Sequence, residues 1–129
     1  MHRSPMLSPY MKASNAVAVD FDGTLTLDGV TLDEGAKKYI PRIKNLGVDL
    51  VLWTCRCDDR YAYAVEKVHQ EWHLPISTVE DMRWFEPEQP RKISCIYYID
   101  DRAVPGGKVN WRRTYKFIKK EVRKMRRSN

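Results

Sequence analysis

No apolar run in this 129-residue chain approaches the roughly 18 consecutive residues a membrane-spanning helix needs, so no membrane segment is expected. The stretch from Met1 to Ser14 has one Arg and one Lys but no sustained apolar core, unlike a secretory leader. Residues 1–14 are expected to form a flexible tail. Cysteine is scarce: Cys55, Cys57 and Cys95 are an odd number without framework spacing, which favours a reducing, cytoplasmic setting. Cys55-Arg56-Cys57 reads as small buried thiols beside a strand end rather than as a redox or metal motif. Histidine is equally thin. His69 and His73 share helical spacing, but neither they nor His2 bring a third ligand for zinc. There is no internal repeat and no low-complexity tract.

What is present describes an ordinary globular domain. A hydrophobic fraction of 43% and a charged fraction of 31% lie near the averages for such proteins. The length suits one domain with a real core, assigned to residues 15–129. The net charge of +6 is unevenly spread. Residues 110–129 hold nine Lys/Arg and one Glu, or +8, so the preceding 109 residues carry 6 − 8 = −2.

Ala16-Val17-Ala18-Val19 reads as a buried strand, followed by a polar, turn-rich stretch from Gly23 to Thr31. Asp33 and Glu34 suit a helix N-terminus, where acids complement exposed N–H groups. Ala36, Tyr39, Ile40, Ile43 and Leu46 follow helical spacing. Pro41 predicts a kink or restart, and Gly47 a stop. Val48–Trp53 is the next strand. Asp58 or Asp59 is expected to cap a second helix with Tyr61, Val65, Val68 and Trp72 on one face. Leu74–Pro90 reads as an irregular connection around a short strand, and Cys95–Ile99 as a further strand. A last helix begins near Asn110, with Trp111, Tyr115, Ile118, Val122 and Met125 as its apolar stripe. Continuous apolar strands alternating with helices indicate an α/β fold, a Rossmann-like three-layer α/β/α domain with a parallel sheet.

Two strands end in paired acids: Asp20-Phe21-Asp22-Gly23-Thr24 after the first, and Asp100-Asp101 after Cys95–Ile99. Right-handed crossovers bring parallel strand ends together, where such folds place their chemistry. A calcium loop does not fit: with Gly23 at the sixth position, the first and twelfth are Ala18 and Gly29. A plain Asp-Gly turn explains neither Asp20 nor the second acidic end. Two like charges at about 4 Å repel by about 4 kcal/mol at an effective dielectric near 20. Several such pairs would strain a fold stabilised by only about 5–15 kcal/mol. A hard cation compensates, and Mg²⁺ takes one or two carboxylates and completes its shell with water and phosphate.

At these residues the chain resembles the haloacid dehalogenase (HAD) phosphohydrolases. Asp20-Phe21-Asp22-Gly23-Thr24-Leu25-Thr26 is similar to their first motif, Thr54 to the second, Lys92 to the third and Asp100-Asp101 to the fourth. Tyr98-Ile99-Asp100-Asp101-Arg102 and the Trp53-Thr54-x-Arg56 end look most like small capless members. The resemblance spans about residues 15–118. It implies an Mg²⁺-dependent phosphatase acting on a phosphomonoester, either a small molecule or a polymer end, through an aspartyl-phosphate.

In that resemblance Asp20 is the nucleophile. Asp22 protonates the leaving group and later deprotonates water. Asp20, the main-chain carbonyl of Asp22, and Asp100 hold the metal, with Asp101 orienting its neighbours. Thr54 and Lys92 hold phosphoryl oxygens. Plainer readings stay open: Thr54 as a strand end, Lys92 as a solvated loop charge, Asp101 as a structural cap. Arg56 and Arg102 either clasp phosphate or neutralise the acidic cluster from its rim. Only 31 residues separate Asp22 from Thr54 and 37 separate Thr54 from Lys92, which leaves little room for a cap domain. Selectivity is then left to Leu25–Gly29, the Trp84-Phe85 loop, or a partner.

The basic last helix reads by default as a packed stripe with a solvated opposite face. The second reading is weak attraction of polyphosphate or nucleic acid. Two alternatives to a general phosphatase therefore stand: a nucleotide or nucleic-acid-end phosphatase, and a nucleic-acid-binding module with a vestigial site.

Overall fold

The run Ala16-Val17-Ala18-Val19 is buried over its full length because it forms the middle strand, β1 (Ala16–Val19), of a three-stranded parallel sheet. This is seen in a computed structural model, which describes residues 16–78, 97–100 and 108–128. On one side β1 pairs with β2 (Asp49–Leu52), Ala16 opposite Asp49 and Val19 opposite Leu52. On the other it pairs with β3 (Tyr97–Ile99), Val17 opposite Tyr97 and Val19 opposite Ile99. All four side chains are buried, so neither face of the strand is left to solvent, hence its unbroken apolar sequence. Beyond β2, Ser77 adds one further bridge, accepting from Leu52 N at 2.8 Å and donating to Leu50 O at 2.9 Å. This single bridge is all that the described residues 74–78 show of the short strand expected within 74–90; residues 79–90 lie outside the described residues. So do the expected tail, Trp84-Phe85, and Cys95 and Ile96, with which the third strand was expected to start.

Helix α1 (Glu34–Lys44) begins where the sequence predicts. The Asp33 carboxylate accepts from Gly35 N and Ala36 N, satisfying two of the helix's orphan donors. Ala36, Ile40 and Ile43 form its buried stripe. Pro41 lies inside the helix without ending it, so no separate restart occurs. Gly47 follows with φ +94°, a left-handed conformation that glycine adopts without strain.

Helix α2 (Asp58–Glu66) corrects one expectation. Its cap position is Cys57, which makes no side-chain cap bond, and Asp58 is already helical. Asp58, the first residue of the helix, takes φ +53°, a left-handed conformation uncommon for residues other than glycine. The helix runs on into one π-helical turn, Lys67–Glu71. Val68 is buried there, and the Trp72 ring stacks on Phe21 with centroids 5.8 Å apart.

Helix α3 (Trp111–Ser128) buries Trp111, Thr114, Ile118 and Val122 and half-buries Tyr115 and Met125, the stripe its periodicity predicts. It packs on α1. A methyl group on Gly35 would lie 2.5 Å from Trp111 Cδ1, so glycine lets the indole approach the first turn of α1. At the far end Arg126 donates to Leu46 O at 2.7 Å. The two helices therefore run in the same direction. The core joins Val17, Val19 and Phe21 to Ile40, Leu50, Leu52, Ile76, Ile99 and Ile118. Among the described residues no helix is long and apolar enough to cross a membrane.

Candidate active site at the strand ends

Because the strands are parallel and in register, their carboxyl ends coincide. Val19 lies opposite Ile99, and Asp20 N donates to Ile99 O at 3.0 Å. The next residues, Asp20 and Asp100, therefore emerge side by side from neighbouring strands spaced about 4.8 Å apart. Phe21 N donates to Asp20 Oδ1 at 2.9 Å, which turns that carboxylate back over its own strand end. On the other side, Trp53 N donates to Val19 O at 2.9 Å, so Thr54 reaches the same end of the sheet. Its hydroxyl accepts from Arg56 N at 3.2 Å. A hydroxyl that accepts one bond still has a proton to donate.

Asp22 stands apart from its two neighbours. Both its oxygens are held by Arg56, Nε to Oδ2 at 2.8 Å and Nη2 to Oδ1 at 2.7 Å. The clasp is bidentate, the geometry in which guanidinium binds carboxylate best. Arg56 is itself fixed, its guanidinium 4.9 Å from the Phe21 ring centroid and 5.6 Å from that of Tyr63. The Asp22 side chain is 53% exposed and that of Arg56 only 15%. The hydrogen bond from Arg56 and its charge hold the Asp22 carboxyl below the ordinary carboxylate value despite some burial. Arg56 therefore pairs with an acid of the cluster, Asp22, in the described geometry.

The turn after Asp22 is built by its own side chains. Gly23, at φ +76°, lets the chain reverse, and its N–H donates to Thr26 O at 2.8 Å. Asp28 Oδ1 accepts from Val30 N at 2.8 Å and Thr31 N at 2.7 Å, and these bonds pull its carboxyl well below the usual range. Tyr63 Oη donates to Gly29 O at 2.7 Å, tying the loop to α2. Leu27 and Val30 are left exposed on this loop, at 59% and 57%. Thr24 is 2% exposed, and its hydroxyl has no hydrogen-bond partner among the described residues.

The expected sites thus divide. Asp20, Asp22, Thr54, Arg56 and Asp100 all belong to one end of the sheet. Lys92, Asp101 and Arg102 lie outside the described residues. Among the described residues no group of three or more His, Cys, Asp or Glu is arranged to hold a metal. The Asp22 carboxylate is turned to Arg56, and Asp20, Asp100 and main-chain oxygen are among the oxygen donors that the described residues bring to the strand ends. Two carboxylates with carbonyl and water oxygens fit the hard, oxygen-preferring Mg²⁺.

The expectation of buried thiols is corrected: Cys55 and Cys57 are both exposed, because the turn around Arg56 lies outside the core. His69 Nε2 sits 2.5 Å from Ile76 O, a bond that anchors the segment after the π-helical turn. Tyr63 was overlooked in the sequence. Its place on an apparent exposed helix face gave no sign that it backs Arg56.

No protein-family model matches the chain, and none of the curated proteins does. The fold is similar to the solved structure of a conserved protein from Bacteroides thetaiotaomicron, with a TM-score of 0.64 and 24% identity. The match covers 84% of this chain and 92% of that one. At this identity the likeness extends to the fold: a small parallel sheet with helices, of the α/β class.

Proposed function

We propose that this chain is a capless, HAD-type phosphohydrolase with a Rossmann-like domain, cleaving a phosphomonoester with the help of Mg²⁺. What supports the reading most is the register that sets Asp20 beside Asp100, with Asp22 two residues further along. The 14 residues between β1 and α1, 20–33, are occupied by a turn closed on itself, which favours an open site without a cap at this point.

Asp20 attacks phosphorus, and the ester P–O bond breaks as the aspartyl-phosphate forms. Asp22 gives its proton to the departing oxygen and later takes one from the water that releases phosphate. Asp20, Asp100 and the Asp22 carbonyl would hold Mg²⁺, which would supply positive charge to the phosphoryl oxygens. Thr54 donates its hydroxyl proton to one of them, and Lys92 supplies a further charge. Asp101 orients the metal-binding acids. The Arg56 clasp sets a condition on this scheme. A carboxylate held by two charge-assisted bonds is a poor proton donor, so the clasp has to open before Asp22 can act. The incoming phosphate, itself an anion suited to guanidinium, competes for the same edge of Arg56.

The test is release of phosphate from a generic aryl phosphate with Mg²⁺ present. Turnover is expected to vanish with a chelator and to fall on the order of 10³-fold or more in Asp20→Asn, since a covalent nucleophile has no substitute. Retained turnover in that variant removes Asp20 from the role. The uneven charge of the chain favours one narrower version, a nucleotide or nucleic-acid-end phosphatase. Comparing nucleotides, sugar phosphates and phosphorylated oligonucleotides at equal salt separates it from a general small-molecule enzyme. Binding of nucleic acid with no hydrolysis of any of these would instead identify a binding module.

A further inference from the structure

Helices α1 and α3 pack together and carry 13 of the chain's 23 Lys and Arg but only two of its 17 acids, Glu34 and Glu121. Their joint charge is 13 − 2 = +11, so the rest of the chain, at a total of +6, carries 6 − 11 = −5. On α3 the cations are ordered as well as numerous. Arg113, Lys116, Lys120, Arg123 and Arg127 recur at alternating steps of three and four and are all exposed. They form one stripe opposite the buried one, about 21 Å long at the helical rise. Glu121 pairs with Lys124, at 3.4 Å, rather than with a member of the stripe.

Phe117 lies against this stripe, one residue from Lys116 and four from Arg113. It is 44% exposed. Its ring rests against Tyr97 with centroids 5.0 Å apart, so the aromatic face is braced from behind by β3. An exposed ring within a line of cations is the combination that single-stranded nucleic acid uses, cations tracking phosphates and the ring stacking an unpaired base.

We propose that the exposed face of α3, flanked by α1, binds single-stranded nucleic acid, with Phe117 as the stacking platform. An anionic membrane is the less suitable occupant. Surface-seeking helices insert an apolar face, and the apolar face of α3, with Trp111, Ile118 and Val122, is already buried in the core. The stripe starts at the Trp111 end, which meets the first turn of α1 on the strand-end side of the sheet. A strand lying along it runs from the strand ends down the flank. The proposal does not depend on the hydrolytic reading, because it concerns binding alone.

The test uses the full chain and a labelled oligothymidylate of about 20 nucleotides without a terminal phosphate, followed by fluorescence anisotropy. Five neutralised phosphates on a single strand predict an affinity loss of about 100-fold between roughly 50 and 200 mM salt. Phe117→Ala is expected to weaken binding roughly tenfold through the lost stack. Arg113→Gln with Lys120→Gln should weaken it further and reduce the salt slope by about 1 to 2. Those two cations are exposed, so this variant tests the surface even where Phe117→Ala disturbs β3. Asp20→Asn should bind as the unaltered protein does, separating this result from any outcome of the phosphatase assay. Three results overturn the proposal: no salt-dependent binding, tighter binding of a duplex of equal length, or binding of phosphatidylserine vesicles while the oligonucleotide is ignored.

Discussion

At the strand ends a carboxylate, Asp22, meets a guanidinium 34 residues away in the sequence, whereas along α3 nine cations share their helix with one acid. Both regions concentrate charge of one sign. In the first, the protein supplies the opposite charge itself and fixes it by packing Arg56 over the rings of Phe21 and Tyr63. In the second, the helix itself supplies a single acid, Glu121, which pairs with Lys124. The contrast teaches where to look for ligands. Charge that the fold has already answered holds structure together or waits on a competing ion, while charge left unanswered is directed at solvent or a partner.

The sharpest way to test that contrast lies within α3. Ile118 is fully buried and Lys120, two residues on, is exposed. Ile118→Ala should cost about 2–5 kcal/mol in a denaturant titration, from lost transfer energy and the cavity left behind. Lys120→Gln should stay within about 0.5 kcal/mol. A large loss in Lys120→Gln would mean that the cations support the fold after all, and the comparison would fail.

The clasp comes next in size. Arg56→Gln removes a bidentate pair and two ring contacts, but Asp22 is more than half exposed, so solvent screening reduces what the pair contributes. About 1 kcal/mol is expected from the pair and the stacking together. Phosphate release should respond far more than stability does. Equal, small effects on both would show that Arg56 has no part in the chemistry.

The smallest effect is on acid stability. Asp22 and Asp28 both have carboxyls held below their ordinary value of 3.8. Groups depressed in the folded state stabilise it at pH above 3.8, and this contribution fades as pH falls below that value. Denaturation midpoints followed from neutral pH downward should therefore decline in this region. Asp28→Asn should flatten the decline by removing one of the two groups. An unchanged acid profile would mean that the Asp28 bonds to Val30 and Thr31 persist in the unfolded chain.

How much of this was legible in the sequence depends on the range of the interaction. Local patterns read well: the Asp33 cap, the buried stripe of α3 and the β1 run all follow from neighbours three or four residues apart, or from unbroken apolarity. The meeting of Asp20 and Asp100 was also accessible, because parallel strands with the same direction bring their ends together whatever lies between. The clasp was not. Nothing in the order of residues distinguishes an Arg56 aimed at the proposed phosphate from one aimed at Asp22, since a guanidinium suits either anion. The exposure of Cys55 and Cys57 was missed for a related reason. Hydrophobicity suggested burial, but Cys55 and Cys57 flank Arg56 in a turn that lies outside the core. The π-helical turn at Lys67–Glu71 has the same apolar spacing as ordinary helix to within a residue, so periodicity could not separate them.

The pairing of Val19 with Ile99 makes strand length a ruler for the acidic pair. Side chains alternate between the two faces of a sheet, so one residue inserted into either strand would carry its terminal aspartate to the opposite face. Chains of this architecture can thus exchange one apolar residue for another within these strands and keep the carboxylates together. They cannot change the number of steps from sheet to turn.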